Sequence, residues 1–216
     1  MRALALEEMA MATGGKLDGA NLQVSTISTD SRSLEEGALF VALQGENFDG
    51  HDFVEQAQSQ GAAAMMTSHS MDLKVPQIVV EDTTLGLGQI ARLNRELFRW
   101  PVVGLTGSTG KTGTKEMLAS ILRCKHTVLA TEANFNNEIG VPLTLLSLQP
   151  EHRFAVVEMG ASKSGDIAYL AALVKPDVAL VTNVMPAHVE GFGSFEALAA
   201  TKKSIYAALP DSGTRW

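Results

Sequence analysis

The sequence predicts an α/β protein with a small N-terminal α/β domain and a second domain built on a mainly parallel sheet with a phosphate-binding loop. Three observations predict this fold class. A glycine-rich segment, TGSTGKT, occupies residues 106–112. Apolar strands and helices alternate regularly after Trp100-Pro101, whereas the pattern before it is less regular. We therefore place two domains at 1–98 and 99–216.

Composition narrows the class of protein. Of the 216 residues, 45% are hydrophobic and 19% are charged, which is typical of a globular chain. The net charge of −7 argues against a nucleic-acid partner. The amino terminus is a poor signal peptide, no run approaches the ~18 apolar residues of a membrane span, and the single Cys124 fits a reducing compartment. We expect a cytoplasmic protein without membrane insertion.

The first predicted domain contains short elements of both kinds. A helix over 3–13 is stopped by Gly14-Gly15, and a turn-rich loop covers 44–50. The remaining elements are strands over 24–29, 38–43, 62–67 and 77–82, and helices over 51–60 and 83–99.

The second predicted domain alternates strands and helices, which is typical of βαβ units. Strands are predicted at 101–107, 126–130, 153–158 and 177–183, and helices at 111–123, near 140–148, 164–173 and 194–208.

The TGSTGKT segment follows an apolar strand and opens a helix, as a phosphate-binding loop does. Lys111 would reach the β- and γ-phosphates, and the Thr112 hydroxyl would ligate Mg²⁺. The strict pattern has glycine where this chain has Leu105. The alternative is a glycine-rich turn with an exposed lysine. The predicted nucleotide-binding residues here are Thr106, Gly107, Ser108, Thr109, Gly110, Lys111, Thr112 and Gly113.

Other candidate residues follow strands of the same sheet. Glu158 ends one strand and would hold Mg²⁺, unless it serves a helix N-terminus. Asn183 and His188 follow the next strand, although a lone histidine is often structural. Active sites of parallel sheets lie at these strand ends.

Lysines and asparagines supply the remaining candidates. Lys202 and Lys203 could form a solvated helix face, or one of them could be buried, with a lowered pKa. Its neutral amine could then react with CO₂ to give a metal-binding carbamate. Asn134, Asn136 and Asn137 could hydrogen-bond substrate, the alternative being an ordinary turn with a helix cap.

Taken in order, these segments resemble the Mur ligase family, which builds the peptide stem of peptidoglycan. The segments are TGSTGKT, AVVEMG, NVMPAHVEGFGS and ATKKSIY. TDSRSLEEGALFVALQGENFDGHDF and ANFNNEIGVPLTLL are similar to the branch that adds D-alanyl-D-alanine. The branch that adds the third residue carries a threonine-rich substrate segment instead. The resemblance extends over essentially the whole chain.

The resemblance implies a UDP-binding domain, a central ATPase domain and a C-terminal Rossmann-like domain that is absent here, so we expect a fragment. It also implies a further strand of the central sheet after Gly213, where the sequence runs on only to Trp216. It places Lys111 and Thr112 on ATP and Mg²⁺, Glu158 on Mg²⁺, and His188 on a second Mg²⁺. By its spacing to Tyr206, Lys202 matches the family's carbamylated, metal-binding lysine better than Lys203. Asn134 and Asn136 would meet the acceptor peptide, Asn137 the nucleotide, and Ser31, Arg32, Glu46, Asn47 and Phe48 the UDP end of the substrate.

The implied activity is ATP-dependent amide formation between UDP-N-acetylmuramoyl-tripeptide and D-alanyl-D-alanine through an acyl phosphate, by an enzyme that is monomeric at full length. A kinase or GTPase fits the sequence less well, since such an enzyme should carry a motif for base specificity, such as the NKxD of GTPases, and none occurs here. A folate-tailing ligase would lack the first domain. The third-residue-adding branch and an inactive UDP-sugar- or nucleotide-binding fragment stay open as alternatives.

Overall fold

A computed structural model describes residues 1–45, 47–186 and 191–216. The chain divides into two compact units, Met1–Leu93 and Asn94–Trp216. This division falls a few residues before the predicted boundary at 98/99, which stays a prediction about functional domains. Each unit has its own five-stranded sheet.

The first unit is built mainly from short strands. Its sheet has the order β2-β9-β8-β5-β4, with β2 antiparallel to β9 and the other pairs parallel. The elements are β1 Leu4–Ala5, α1 Leu6–Thr13, β2 Lys16–Asp18, β3 Gln23–Val24, β4 Ile27–Ser28, β5 Leu39–Val41, β6 Gln44–Gly45, β7 Phe48–Asp49, a 3-10 helix Gly50–Phe53, α2 Val54–Ser59, β8 Ala64–Thr67, β9 Gln77–Val79 and α3 Thr83–Glu96.

Several boundaries in this unit differ from the sequence prediction. The first helix begins at Leu6 rather than residue 3, because Leu4–Ala5 pairs with β3. The predicted strand over 24–29 is interrupted between β3 and β4. The turn-rich loop over 44–50 contains an antiparallel hairpin of β6 and β7. Strand β2 was not predicted, because it is short and mostly exposed, with Lys16 and Asp18 at its ends.

Two fully buried strands and one helix form the core of the first unit. Phe40 of β5 and Met65 of β8 are fully or almost fully buried, and they pack with Val54 and Ala57 of α2. This pairing of an apolar helix face with an apolar sheet face explains why α2 is stable although it has only six residues.

The second unit is a parallel α/β sheet with the order β11-β12-β10-β13-β14. The fold class predicted from the sequence is confirmed. The elements are β10 Val102–Thr106, α4 Lys111–Arg123, β11 Val128–Ala130, α5 Gly140–Leu146, β12 Phe154–Glu158, α6 Asp166–Val174, β13 Val178–Val181, α7 Phe195–Lys203, a 3-10 helix Ser204–Ala208 and β14 Thr214–Arg215.

Strand β10 is central in this sheet. The chain leaves β10 to one side to form β11 and β12, then crosses to the other side to form β13. The carboxyl end of β10 therefore lies where the direction of winding changes, which is the place where open α/β sheets bind ligands. Leu105 of β10, Ala119 of α4 and Val156 of β12 form part of the buried core that fixes this end.

The end of the chain differs in detail from the prediction. The helix predicted over 194–208 is α-helical only to Lys203 and continues as a 3-10 helix. The strand expected after Gly213 begins at once, since Thr214 and Arg215 pair in parallel with Val178 and Ala179. Within the described residues, none of the helices combines the length and the apolar character that crossing a lipid bilayer requires.

Candidate active site

The loop between β10 and α4 requires glycine at two positions. Gly107 has φ +155°, and a Cβ there would lie 1.9 Å from Thr182 Oγ1. Gly110 has φ +75°, a left-handed conformation that favours glycine, and it immediately precedes α4. The glycines of the TGSTGKT segment thus allow the turn that brings the N-terminus of α4 to the end of β10.

The segment after β13 anchors this loop. The amide of Ser108 donates to the Asn183 carbonyl, and the amide of Thr109 donates to Asn183 Oδ1, both at 3.0 Å. Thr182 Oγ1 donates to the Thr109 carbonyl at 2.7 Å. These two loop amides are therefore engaged by the protein itself, and the predicted contacts of Ser108 and Thr109 with a nucleotide stay predictions.

Lys111 and Thr112 begin α4 beside this loop. Lys111 Nζ donates to the Gly107 carbonyl at 3.0 Å, so the ammonium is folded back over the loop where phosphate oxygens would bind. Thr112 Oγ1 donates to Glu158 Oε2 at 3.1 Å. The hydroxyl and the carboxylate that the sequence assigned to Mg²⁺ are thus in direct contact.

Glu158 is the last residue of β12 and is only 1% exposed. Its Oε1 accepts from Asn136 Nδ2 at 2.9 Å, and its backbone amide donates to Thr131 Oγ1 at 2.9 Å. The alternative role at a helix N-terminus is not supported, because α6 begins only at Asp166, whose carboxylate accepts from the preceding loop.

The lysine pair on α7 divides into one buried and one exposed residue. Lys202 is 4% exposed, whereas Lys203 is exposed. Burial, and secondarily the positive charge of Lys111, lowers the pKa of Lys202. A lowered pKa increases the neutral amine fraction that a reaction with CO₂ needs. The solvated-face interpretation therefore applies to Lys203 alone, and the carbamate stays a prediction.

A cleft of about 330 Å³ is lined by Lys111, by Lys202 and by Asn136, the partner of Glu158. Its lining carries two lysines, Lys111 and Lys202, and two carboxylates, Glu138 and Asp166, so it presents charge of both signs to a ligand. Other described residues that line it include Gly107, Ser108, Asn137, Ser162 and Tyr169.

The asparagine-rich segment reaches this cleft only in part. Asn136 is held by Glu158 and by the Gly160 amide, which donates to its carbonyl at 2.7 Å. Asn137 lines the cleft, yet its Oδ1 also accepts from the Gly140 amide at 2.8 Å, so it caps α5 as well. Asn134 is exposed and is not among the described residues that line the cleft.

The predicted UDP-contacting residues lie in the first unit. Ser31 is buried, and its hydroxyl donates to Gln56 Oε1. Arg32 is exposed and makes a two-point ion pair with Asp30. The hydrogen bonds from the Arg32 side chain, and then its backbone amide, lower the pKa of Asp30 to about 2.

The hairpin of β6 and β7 carries the other UDP candidates. Asn47 is exposed, and Phe48 is 51% exposed and stacks on Phe53 with ring centroids 5.3 Å apart. Glu46 lies outside the described residues, as does His188 of the predicted metal site. The structure therefore bears on neither of those two assignments.

Sequence reasoning missed two supporting residues of the site. Lys115 and Thr131 are both buried, and Lys115 Nζ donates to the Thr131 carbonyl at 2.6 Å. The available signal was spacing, because Lys115 lies four residues after Lys111 on α4 and so on the same helix face. Thr131 carries no comparable signal, since it simply follows a short strand.

The donor set fits Mg²⁺. Among the described residues, no group of three or more His, Cys, Asp or Glu side chains is gathered to hold a metal. Mg²⁺ is commonly bound by one or two carboxylates together with substrate phosphates and water. The Thr112 hydroxyl and the Glu158 carboxylate beside a phosphate-binding loop match that requirement.

A parallel sheet, a glycine-rich loop at its central strand and a hydroxyl–carboxylate pair define a P-loop nucleotide-binding protein. Two family models match the chain: the Mur ligase middle domain over residues 105–215, and the Mur ligase family catalytic domain over residues 23–95. The chain belongs to the Mur ligase family.

Similar curated proteins are UDP-N-acetylmuramoyl-tripeptide–D-alanyl-D-alanine ligases. The one from Escherichia coli K12 is 45% identical over 213 residues, which are 99% of this chain and 47% of that protein. The one from Haemophilus influenzae is 46% identical and is also 47% covered. The chain thus spans about half the length of the curated relatives it matches.

Solved structures of proteins named MurF are also similar to this chain. MurF from Acinetobacter baumannii has a TM-score of 0.94 at 38% identity, covering all of this chain and 48% of that one. MurF from Thermotoga maritima in complex with ADP has a TM-score of 0.82 at 38% identity, and the match covers 88% of this chain and 44% of that one. A 2,6-diaminopimelate-adding ligase has a TM-score of 0.64 at only 17% identity and shows the fold alone.

Proposed function

We propose that this chain carries the UDP-substrate and ATP sites of a ligase that adds D-alanyl-D-alanine to UDP-N-acetylmuramoyl-tripeptide in peptidoglycan synthesis. The observation that carries the proposal is the hydrogen-bonded set of Thr112, Glu158 and Asn136, of which Asn136 lines one cleft together with Lys111 and the buried Lys202. The relatives with this printed name, at 45% and 46% identity, support the choice of substrates.

The proposed chemistry proceeds in two displacements. A carboxylate oxygen of the tripeptide attacks the γ-phosphorus of ATP, and the bond to the bridging oxygen breaks as ADP leaves. The amine of D-alanyl-D-alanine then attacks the acyl carbon, loses a proton and displaces inorganic phosphate. Phosphorylation is needed because a free carboxylate is a poor electrophile.

The residues of the cleft act mainly by positioning and by neutralising charge. Carboxylate and triphosphate are both anions, and Lys111 offsets their repulsion. Thr112 and Glu158 would hold one Mg²⁺, which when bound neutralises phosphate charge and orients the phosphates. A second Mg²⁺ is proposed at His188 and Lys202, with Lys202 as a carbamate. Asn136 would orient the acceptor peptide, and Asn137 would contact the nucleotide.

The UDP end is proposed to bind in the first unit. Phe48 and Phe53 offer a half-exposed aromatic surface on which a uracil ring can stack. Arg32 and Ser31, with Asn47 and Glu46, would contact the ribose and diphosphate. Cytoplasmic location and a monomeric full-length form belong to the same proposal.

Calorimetric titration tests the two sites separately. The chain is titrated with UDP-N-acetylmuramoyl-tripeptide and, in a second series, with Mg-ADP. Lys111→Ala should abolish Mg-ADP binding and leave the UDP-substrate titration unchanged, whereas Phe48→Ala should do the reverse. Matched controls are Lys203→Ala, an exposed lysine of α7, and Met11→Ala, an exposed apolar side chain of α1.

The phosphate assignment and the UDP assignment are tested by separate variants. Loss of Mg-ADP binding in Lys111→Ala but not in Lys203→Ala supports the phosphate assignment, and equal binding in both overturns it. UDP-substrate binding equal in Phe48→Ala and Met11→Ala would overturn the UDP assignment. Assay of amide formation by the 216-residue chain then distinguishes a ligase from the alternative of binding without turnover.

A further inference from the structure

Lys115 is a buried cation on α4, the helix that follows the phosphate-binding loop. It lies one turn after Lys111 and is fully buried. Its ammonium contacts Glu116 Oε1 at 2.8 Å and donates to the Thr131 carbonyl at 2.6 Å. Burying a lysine ammonium costs free energy that a methionine of similar length would avoid. A buried ammonium at this position therefore indicates a role for its charge and its hydrogen bonds.

Thr131 uses all three of its polar groups near the end of β12. Its amide donates to the Val156 carbonyl at 3.0 Å, and so extends the β11–β12 pairing beyond β11. Its Oγ1 accepts from the Glu158 amide at 2.9 Å, and its carbonyl accepts from Lys115. A continuous chain of contacts therefore runs from α4 through Thr131 to Glu158.

Glu158 lies at the end of this chain of contacts and is held on its other side as well. Its two carboxylate oxygens accept from Thr112 and Asn136. Thr112 comes from α4, the helix that also carries Lys115, while Asn136 lies on the loop that begins just after Thr131. Lys115 thus ties together the two elements that set the direction of the carboxylate.

We propose that Lys115 and Thr131 are positioning residues that hold Glu158 and Thr112 in the geometry needed for a magnesium-bound nucleotide. The inference rests on the nucleotide site of the proposed function and adds residues that touch neither nucleotide nor metal. Groups that orient a metal ligand in this way commonly change metal affinity by about 10- to 100-fold when they are removed.

The test compares the affinity for ADP with and without Mg²⁺ by calorimetry, together with the melting temperature. Thr131→Val keeps the shape of the side chain and removes the acceptor of the Glu158 amide. In the wild-type chain, Mg²⁺ is expected to increase the affinity for ADP. In Thr131→Val this increase should be about tenfold smaller, while the affinity for ADP without Mg²⁺ should equal that of the wild type. Thr131→Ser retains the hydroxyl and should restore the increase. Lys115→Met should behave like Thr131→Val.

Thr144→Val is the matched control, because Thr144 is a buried threonine whose hydroxyl donates to the Gly140 carbonyl in α5. It should lower the melting temperature and leave the effect of Mg²⁺ intact. The inference is overturned if Thr131→Val retains the wild-type effect of Mg²⁺, or if it weakens ADP binding equally with and without Mg²⁺. If the wild-type chain binds no ADP under either condition, the proposed nucleotide site itself is wrong, and the inference falls with it.

Discussion

Gly107 illustrates how single atoms determine the site. A Cβ at this position would overlap Thr182 Oγ1, which itself donates to the Thr109 carbonyl. A side chain there would displace either the loop or the segment after β13, and both carry hydrogen bonds that shape the loop. Gly113 differs, because a Cβ there meets nothing within 4 Å on the exposed face of α4.

We therefore expect Gly107→Ala to lower the melting temperature and Gly113→Ala to raise it. The increase should correspond to about 0.5–1 kcal/mol, since alanine is a better helix former than glycine. Thermal unfolding followed by circular dichroism measures both. A Gly107→Ala variant as stable as the wild type would show that Thr182 can move aside without cost.

Asp49, the last residue of β7, connects the hairpin to the 3-10 helix that follows it. His51 is buried, its Nε2 accepts from the Ser68 amide at 2.9 Å, and its Nδ1 contacts Asp49 Oδ1 at 2.6 Å. Because an amide can only donate, the ring carries its proton on Nδ1 and donates it to Asp49. Hydrogen bonds from the Gln44 side chain and then from His51 lower the pKa of Asp49 to about 2.

This shift predicts how the hairpin responds to acid. The folded-state pKa of Asp49 lies below its ordinary value of 3.8, so the carboxylate stabilises the fold above about pH 4, and this contribution is lost as the pH falls through about 2. Asp49→Asn should be less stable than the wild type at neutral pH, with a difference that shrinks toward pH 2. Chemical unfolding across this range measures it, and a difference independent of pH contradicts the assignment.

Within the second unit, one buried guanidinium joins the segment around Arg95 to the end of α6. Arg95 donates to the carbonyls of Val174 and Lys175 at 2.7 Å and to that of Phe98 at 3.0 Å. It also reaches Asp177, whose Oδ2 accepts from the Val102 amide. The C-terminus of α6 and the start of β10 are thereby fixed together, and β10 carries the phosphate-binding loop at its other end.

Arg95→Met should destabilise the second unit by about 3 kcal/mol, because several buried carbonyls lose a charged donor. Glu96→Gln is the control, since it alters an ion pair with Lys175 in which both side chains are more than 40% exposed. Exposed pairs contribute about 1 kcal/mol or less. Urea unfolding measures the free energy of unfolding of both variants. A similar decrease in the two would show that the guanidinium does not join these segments.

In the whole molecule, the unfolding of the second unit can be followed separately by fluorescence. Both tryptophans, Trp100 and Trp216, lie in the second unit, so tryptophan fluorescence reports on the unit that carries the phosphate-binding loop. Mg-ADP at 100 times its Kd should stabilise this unit by about 2.7 kcal/mol. Its fluorescence-detected melting temperature should rise by several degrees, and Lys111→Ala should remove that rise. A rise of the same size in the variant would place the nucleotide elsewhere.

Much of the fold could be predicted because its signals are local. The parallel sheet of the second unit follows from apolar runs of the right length separated by amphipathic helices, and the loop at residues 106–112 follows from its glycines. Glu158 was predicted at the end of its strand because the apolar run stops there. The family was recognised from the order of such segments, and the family models confirm it.

Other features depended on partners distant in the sequence. Strand β2 pairs with β9, so residues without strong strand preference become a strand only when a neighbour supplies hydrogen bonds. The same holds for Asn183, which anchors the loop amides rather than pointing freely into the site.

The sequence by itself determined the fold class, the position of the phosphate-binding loop and the family, because each depends on residue types at fixed spacings along the chain. Only the tertiary structure decided that Lys202 is buried and Lys203 exposed, and that Lys115 and Thr131 support Glu158. The physical reason is that burial and hydrogen-bond partners depend on how α4, α7 and the strand ends pack. That packing brings together residues far apart in the sequence.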